Sequence, residues 1–162
     1  MKLFLLALSI ILFPLPSFSG SWQTIQQFTA LIEQTGTVVA TADCSRELDR
    51  SGLEGFYVYD KDNNLDHLIF CKENVNMEDS AEVWEVLSHE SVHVMQACNG
   101  GEIIKDEYMP RVVRYLQSFA PHYHTLIQTY PSDQQRREIE AFYMELQKPE
   151  EVVQLFKQFC FD

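Results

Sequence analysis

The stretch DSAEVWEVLSHESVHVMQACNG, residues 79–100, constrains the fold more than any other part of the chain. Wound as a helix at about 100° per residue, it puts Glu82, Glu85, His89, His93 and Gln96 within about 40° of one line. Nearly every other direction is apolar: Val83, Trp84, Val86, Leu87, Val92, Val94, Met95, Ala97 and Cys98. A helix apolar on so many sides belongs inside a protein, where the polar groups of its seam must be paired or liganded. Asp79 or Ser80 can cap its start, and Gly100-Gly101 ends it. The rest of the chain has to cover it.

The flanking segments supply that cover. Residues 21–34 carry Trp22, Ile25, Phe28, Ala30, Leu31 and Ile32 at helical spacing, with Gly36 as a stop. TVVAT (37–41) reads as a short strand. GFYVYD, KDNN and LDHLIFC (55–71) read as a β-hairpin whose turn holds Asp62, Asn63 and Asn64. His67, on its second strand, reads as structural. Beyond the central helix, about 110–119 is helical with Val112, Val113, Leu116 and Phe119 on one side. Pro121 interrupts it, and HYHTLIQTY runs on to Pro131. Ser132 to Gln135 has capping-box spacing and opens a helix to about Gln147. Pro149 suits the first turn of a last helix bearing Val152, Val153, Leu155, Phe156 and Phe159. This order predicts an α+β fold, a small antiparallel hairpin or sheet packed on a helical core. With no internal repeat or linker, residues 20–162 read as one domain.

Residues 1–19 are set apart from that domain. Lys2, the apolar run Leu3 to Phe13, and Ser17-Phe18-Ser19 have the pattern of a secretory signal peptide cut after Ser19. Eleven apolar residues are too few to span a bilayer. The expected location is secreted or periplasmic. Losing Lys2 takes the basic count from 12 to 11 against 24 acidic residues, so the mature net charge is −13. An acidic surface of that size argues against nucleic acid, and against a membrane once the signal is removed. All four cysteines, Cys44, Cys71, Cys98 and Cys160, fall in the mature part. An even count in a small exported domain reads as two disulfides. Three connectivities are open. Cys44–Cys71 with Cys98–Cys160 is favoured, because one pair brackets a compact segment and the other ties the chain end to the central helix. No close C-x-x-C pair favours a cysteine metal site.

The polar seam is where chemistry can sit. Four residues apart, His89 and His93 point the same way, so both imidazoles can hold one ion. Glu90 lies about 100° round, poorly placed to share that site. It is well placed to take a proton from a water activated there and pass it to a leaving amine. The plain alternative is two satisfied core histidines beside a surface glutamate. HESVH matches H-E-x-x-H, and the stretch resembles the active-site helix of zincin metallopeptidases. The resemblance implies zinc, His89 and His93 as its ligands, and Glu90 as catalytic base.

A hydrolytic zinc site takes three protein ligands. The metzincin continuation is missing: no histidine occurs between His93 and His122. The resemblance therefore points to gluzincins, in which a glutamate on a later helix completes the site. REIEAFYMEL (137–146) looks like that helix. Glu138 and Glu140 are about 200° apart and cannot both face the ion. Ala141 supplies the small residue that gluzincins often place three after the ligand, which favours Glu138, with Glu140 as the alternate. The acid such proteins tend to carry four after the ligand is missing, because those positions are Phe142 and Met144. His122, Tyr123, His124, Tyr130 and Tyr143 are candidate hydrogen-bond donors to an oxyanion. The expectation is an exported zinc metallopeptidase acting on a peptide or protein substrate, with a strand of the hairpin as a platform for extended peptide. The alternative is a non-catalytic zinc-binding or disulfide-stapled interaction module.

Overall fold

A computed structural model of the chain describes residues 20–48 and 52–162. The signal segment expected at 1–19 lies outside the described residues. Among those described, the chain is α+β, with seven helices around one small sheet. The first helix, α1 (Trp22–Glu33), is capped by Ser21, whose hydroxyl accepts the Thr24 N–H at 3.1 Å. It buries Ile25, Phe28 and Ile32, and the chain turns away at Gly36, whose φ of 99° favours glycine. β1 (Val38–Ala42), β2 (Gly55–Asp60) and β3 (Leu65–Cys71) form the sheet, in the order β1-β3-β2.

β2 and β3 are the expected antiparallel hairpin, in the register Gly55 with Phe70 through Asp60 with Leu65. Asp60 closes the turn by accepting the N–H groups of Asp62 and Asn63, and Asn64 takes the left-handed conformation at φ 52°. β1 runs parallel to β3, so the strand expected at 37–41 extends the hairpin into a mixed sheet. A one-turn helix, α2 (Cys44–Glu47), follows β1. Its four residues are too few to show helical periodicity.

The apolar segment is α3 (Ser80–Asn99), capped by Asp79 through the Ala81 N–H and ended by Gly100 at φ 71°. It packs against α1, the sheet and two later helices, as its apolar circumference requires. Trp84, Leu87, Val92, Val94 and Met95 are all buried. Phe28 meets Trp84 at 5.7 Å and Phe156 edge-on at 5.3 Å, which joins α1, α3 and the last helix through aromatic contacts.

After α3 come α4 (Met109–Phe119), α5 (Pro121–Ile127), α6 (Gln135–Glu145) and α7 (Pro149–Cys160). Proline opens α5 and α7 at the first turn, where its missing N–H costs nothing. Two details differ from expectation. Phe119 is not on the buried side of α4: it is 52 % exposed and stacks on Tyr115. The capping box at Ser132 to Gln135 does not form either. The Pro131 carbonyl accepts the N–H groups of Gln134 and Gln135, and α6 starts at Gln135 with no side-chain cap. A proline-led turn already supplies the first hydrogen bonds, so the Ser132 hydroxyl sits too early. Disulfides link Cys44 to Cys71 and Cys98 to Cys160, the favoured pairing. They use all four cysteines, which leaves none for a metal.

Candidate metal centre

Two packed helices build the site. α3 carries His89, Glu90 and His93, and α6 crosses it with Ala141 fully buried near the contact. The small side chain lets the helices approach, and Glu138, one turn earlier on α6, then reaches both imidazoles. His89 Nε2 lies 3.3 Å from Glu138 Oε2, and His93 Nε2 lies 3.6 Å from Glu138 Oε1. One ligand atom from each of the three residues lies within 4.8 Å of the others, close enough for a single ion. The structure thus brings Glu138 to the histidines.

Glu140 points elsewhere. It is fully buried, and it accepts from the backbone N–H groups of Ile103 and Ile104 and from Gln96 Nε2. A carboxylate with three N–H donors is satisfied where it stands. Its work is to pin the segment after α3 onto α6.

Both histidines are held from behind. His89 Nδ1 donates to Glu145 Oε1 in a short contact. His93 Nδ1 donates to Gln96 Oε1 at 2.9 Å. Gln96 cannot turn its amide, because its Nε2 donates to Glu140 at 2.9 Å and to the Arg137 carbonyl at 3.2 Å. With an acceptor behind each Nδ1, Nε2 is the nitrogen that each ring turns towards Glu138 and the one a metal would take. Glu145 is the residue that sequence reasoning missed. The expected acid four after the ligand is replaced by one seven after it. Seven residues are nearly two full turns, so Glu145 returns to the face of Glu138 within about 20°. That spacing was the available signal.

Glu90 is 6 % exposed, and its Oε2 has no hydrogen-bond partner among the described residues. Burial pushes its carboxyl up, opposed by the nearby His89 and His93, reinforced by Glu138, and opposed again by a hydrogen bond from the Tyr57 backbone. A raised carboxyl beside a metal-binding group holds a proton more readily than an exposed glutamate does. Gly55 makes the approach of β2 possible. A Cβ there would lie 2.5 Å from Val86 Cγ1 and 3.4 Å from Glu90 Cγ.

A cleft of about 660 Å³ lies on the His89 side, lined by Glu54, Glu85, Glu90, Tyr123, Tyr130 and Glu145 among others. A second cavity, about 480 Å³, lies on the side of His93 and Glu138 and includes Tyr57, Tyr59 and Arg137. Among the candidate oxyanion donors, His122, Tyr123 and Tyr130 line the first cleft. His124 bonds Gln117 instead, and Tyr143 packs edge-on against Tyr115. The Tyr123 hydroxyl donates to Glu85 at 2.8 Å and is therefore engaged. Burial, then the charges of Glu138, Glu90 and Glu145, push the Tyr130 phenol up to about 12, so it keeps its proton.

Together these residues define a partly buried two-histidine, one-glutamate group that could hold a metal ion, with a flanking carboxylate and a cleft beside it. A family profile described as a domain of unknown function, DUF8637, matches residues 60–161, and the chain belongs to this family. The match includes His89, Glu90, His93, Glu138 and Glu145, and stops short of β1 and most of β2. Comparison with curated proteins and with solved structures finds no match.

Proposed function

We propose that the chain is a zinc-dependent metallopeptidase working in an oxidising, extracytoplasmic compartment. The observation that carries this reading is Glu90: a buried carboxylate with a free oxygen, one residue after His89 and three before His93, the two histidines that face Glu138. The donor set fits zinc, which takes histidine nitrogen and carboxylate oxygen and leaves a position open in hydrolytic sites. Bound there, zinc would supply Lewis-acid activation of water and of a carbonyl oxygen.

The chain's own residues account for the rest of the hydrolysis. Glu90 takes the proton of the attacking water as its oxygen bonds to the carbonyl carbon. It delivers that proton to the amine nitrogen as the C–N bond breaks. Tyr130, protonated and with no hydrogen-bond partner for its hydroxyl among the described residues, is placed in the cleft to donate to the developing oxyanion. Glu145 and Gln96 keep the imidazoles in the ligating tautomer. β2 is an edge strand running past Glu90, and an extended peptide can add to it. Two disulfides suit an oxidising compartment, and an export signal at 1–19 would deliver the chain there.

The test is Glu90→Gln in zinc-loaded protein, with cleavage of a mixed peptide library followed by mass spectrometry. Zinc content should hold while hydrolysis falls by about 10²- to 10⁴-fold, the usual contribution of a general base. A variant that keeps its zinc and cleaves as fast as wild type contradicts the mechanism.

A further inference from the structure

The support behind His93 has a direction, and backbone groups fix it. Glu140 is fully buried. Its Oε1 accepts the N–H groups of Ile103 at 3.1 Å and Ile104 at 2.8 Å, and its Oε2 accepts that of Ile103 at 3.0 Å. Backbone N–H groups only donate, so both oxygens of this carboxylate are set as acceptors. Oε2 also takes the Gln96 Nε2 donor at 2.9 Å.

Gln96 has no freedom to reverse. It is 2 % exposed, and its Nε2 donates to the Arg137 carbonyl at 3.2 Å as well as to Glu140. A flipped amide would press its oxygen against two other oxygens in a buried place. Oε1 is therefore the atom left for His93, and it faces Nδ1 at 2.9 Å. That turns Nε2 of the ring towards Glu138, 3.6 Å from its Oε1. His89 has a separate support, Glu145.

We propose that Glu140 is a positioning residue of the metal centre: acting through the Gln96 amide, it fixes which nitrogen His93 offers to the ion. The role rests on the metal-centre reading and is independent of peptide cleavage. An amide in place of the Glu140 carboxylate removes the direction. Its nitrogen would meet the Ile103 N–H or the Gln96 Nε2, donor against donor, and Gln96 would lose the acceptor that holds it.

The test is the zinc affinity of the chain lacking residues 1–19, by competition with a chelating dye. Glu140→Gln should weaken zinc about tenfold, the lower end for a partner that orients a ligand. Gln96→Met should do the same, and the two together should match Gln96→Met alone to within about twofold, because they cut one relay. Exchanging the pair, Gln96→Glu with Glu140→Gln, puts an acceptor back behind Nδ1 and again matches donor to acceptor between the two side chains. Affinity should then return to within about threefold of wild type. Glu140→Gln combined with Glu145→Ala should multiply the two losses, since these residues support different histidines. A Glu140 that only pins the segment after α3 would give a loss independent of Gln96 and unrecovered by the exchange. That result, or an unchanged affinity in Glu140→Gln, overturns the proposal. Should Glu140→Gln not fold alone, the exchanged pair is compared with Gln96→Met, and equal weakness of the two overturns the relay. A wild type that binds no zinc takes the metal centre and this role down together. Zinc binding with the expected pattern but no peptide cleavage removes the peptidase and leaves the role standing.

Discussion

Glu145 supports the candidate metal centre from behind, without belonging to the group that could hold the ion. Its carboxylate accepts from His89 Nδ1, and its side chain is almost wholly buried. Partners of this kind typically set metal affinity by 10- to 100-fold. Glu145→Ala should therefore weaken zinc binding by about that factor in competition with a chelating dye, and an unchanged affinity would show that the contact is incidental. At this scale the sequence was readable in part. Glu138 was favoured over its alternate Glu140 because only Glu138 has a small residue three places on, and Ala141 is buried. The partner of His89 was not readable from a spacing of four, because here the helix reuses its face after seven residues. The tie from His93 through Gln96 to Glu140 also needed the fold, since Glu140 lies 44 residues from Gln96.

Long periodic elements were legible, and short ones were not. α3 announced itself by twenty residues with apolar side chains on nearly every side of one polar seam and a cap at each end, and the hairpin by its Asp-Asn turn. α2 was hidden, because one turn of helix has no period and is held by what it touches. Here the partner is Glu73, whose Oε1 accepts both the backbone N–H of Ser45 at 2.8 Å and its hydroxyl at 2.7 Å. Burial works to raise this carboxyl, but the Ser45 hydrogen bonds outweigh it and hold the group at about 2. A carboxyl lowered on folding contributes stability that is present above its ordinary range and lost as pH falls through the folded value. The gap in melting temperature between wild type and Glu73→Gln should be open at neutral pH and close as pH drops from about 4.5 towards 2. A gap that is the same at both ends would place the stabilisation elsewhere.

For the whole molecule, the decisive feature is that the helix carrying His89, Glu90 and His93 is also the centre of the core. α3 touches α1, the sheet, α6 and α7, so the geometry of the site and the stability of the fold cannot be separated. The Cys98–Cys160 disulfide reinforces this by tying the end of α3 to the end of α7, across 62 residues. Closing a loop that long removes about 4 kcal/mol of unfolded-chain entropy on the simplest model, and measured losses run about 2–5 kcal/mol. Replacing both cysteines by serine should cost that much in denaturant unfolding of the zinc-free chain. A loss well under 1 kcal/mol would mean that α7 is held by Val152 and Phe156 alone.

Elemental analysis of oxidised chain lacking residues 1–19, beside His89→Ala and Glu138→Ala, tests the central claim most directly. The account requires close to one zinc per folded wild-type chain, lost in the histidine variant and strongly weakened in the glutamate variant. A folded wild-type chain that holds no zinc when zinc is supplied contradicts it. His89, His93 and Glu138 would then be a partly buried ion-paired cluster and the cleft beside them something other than an active site.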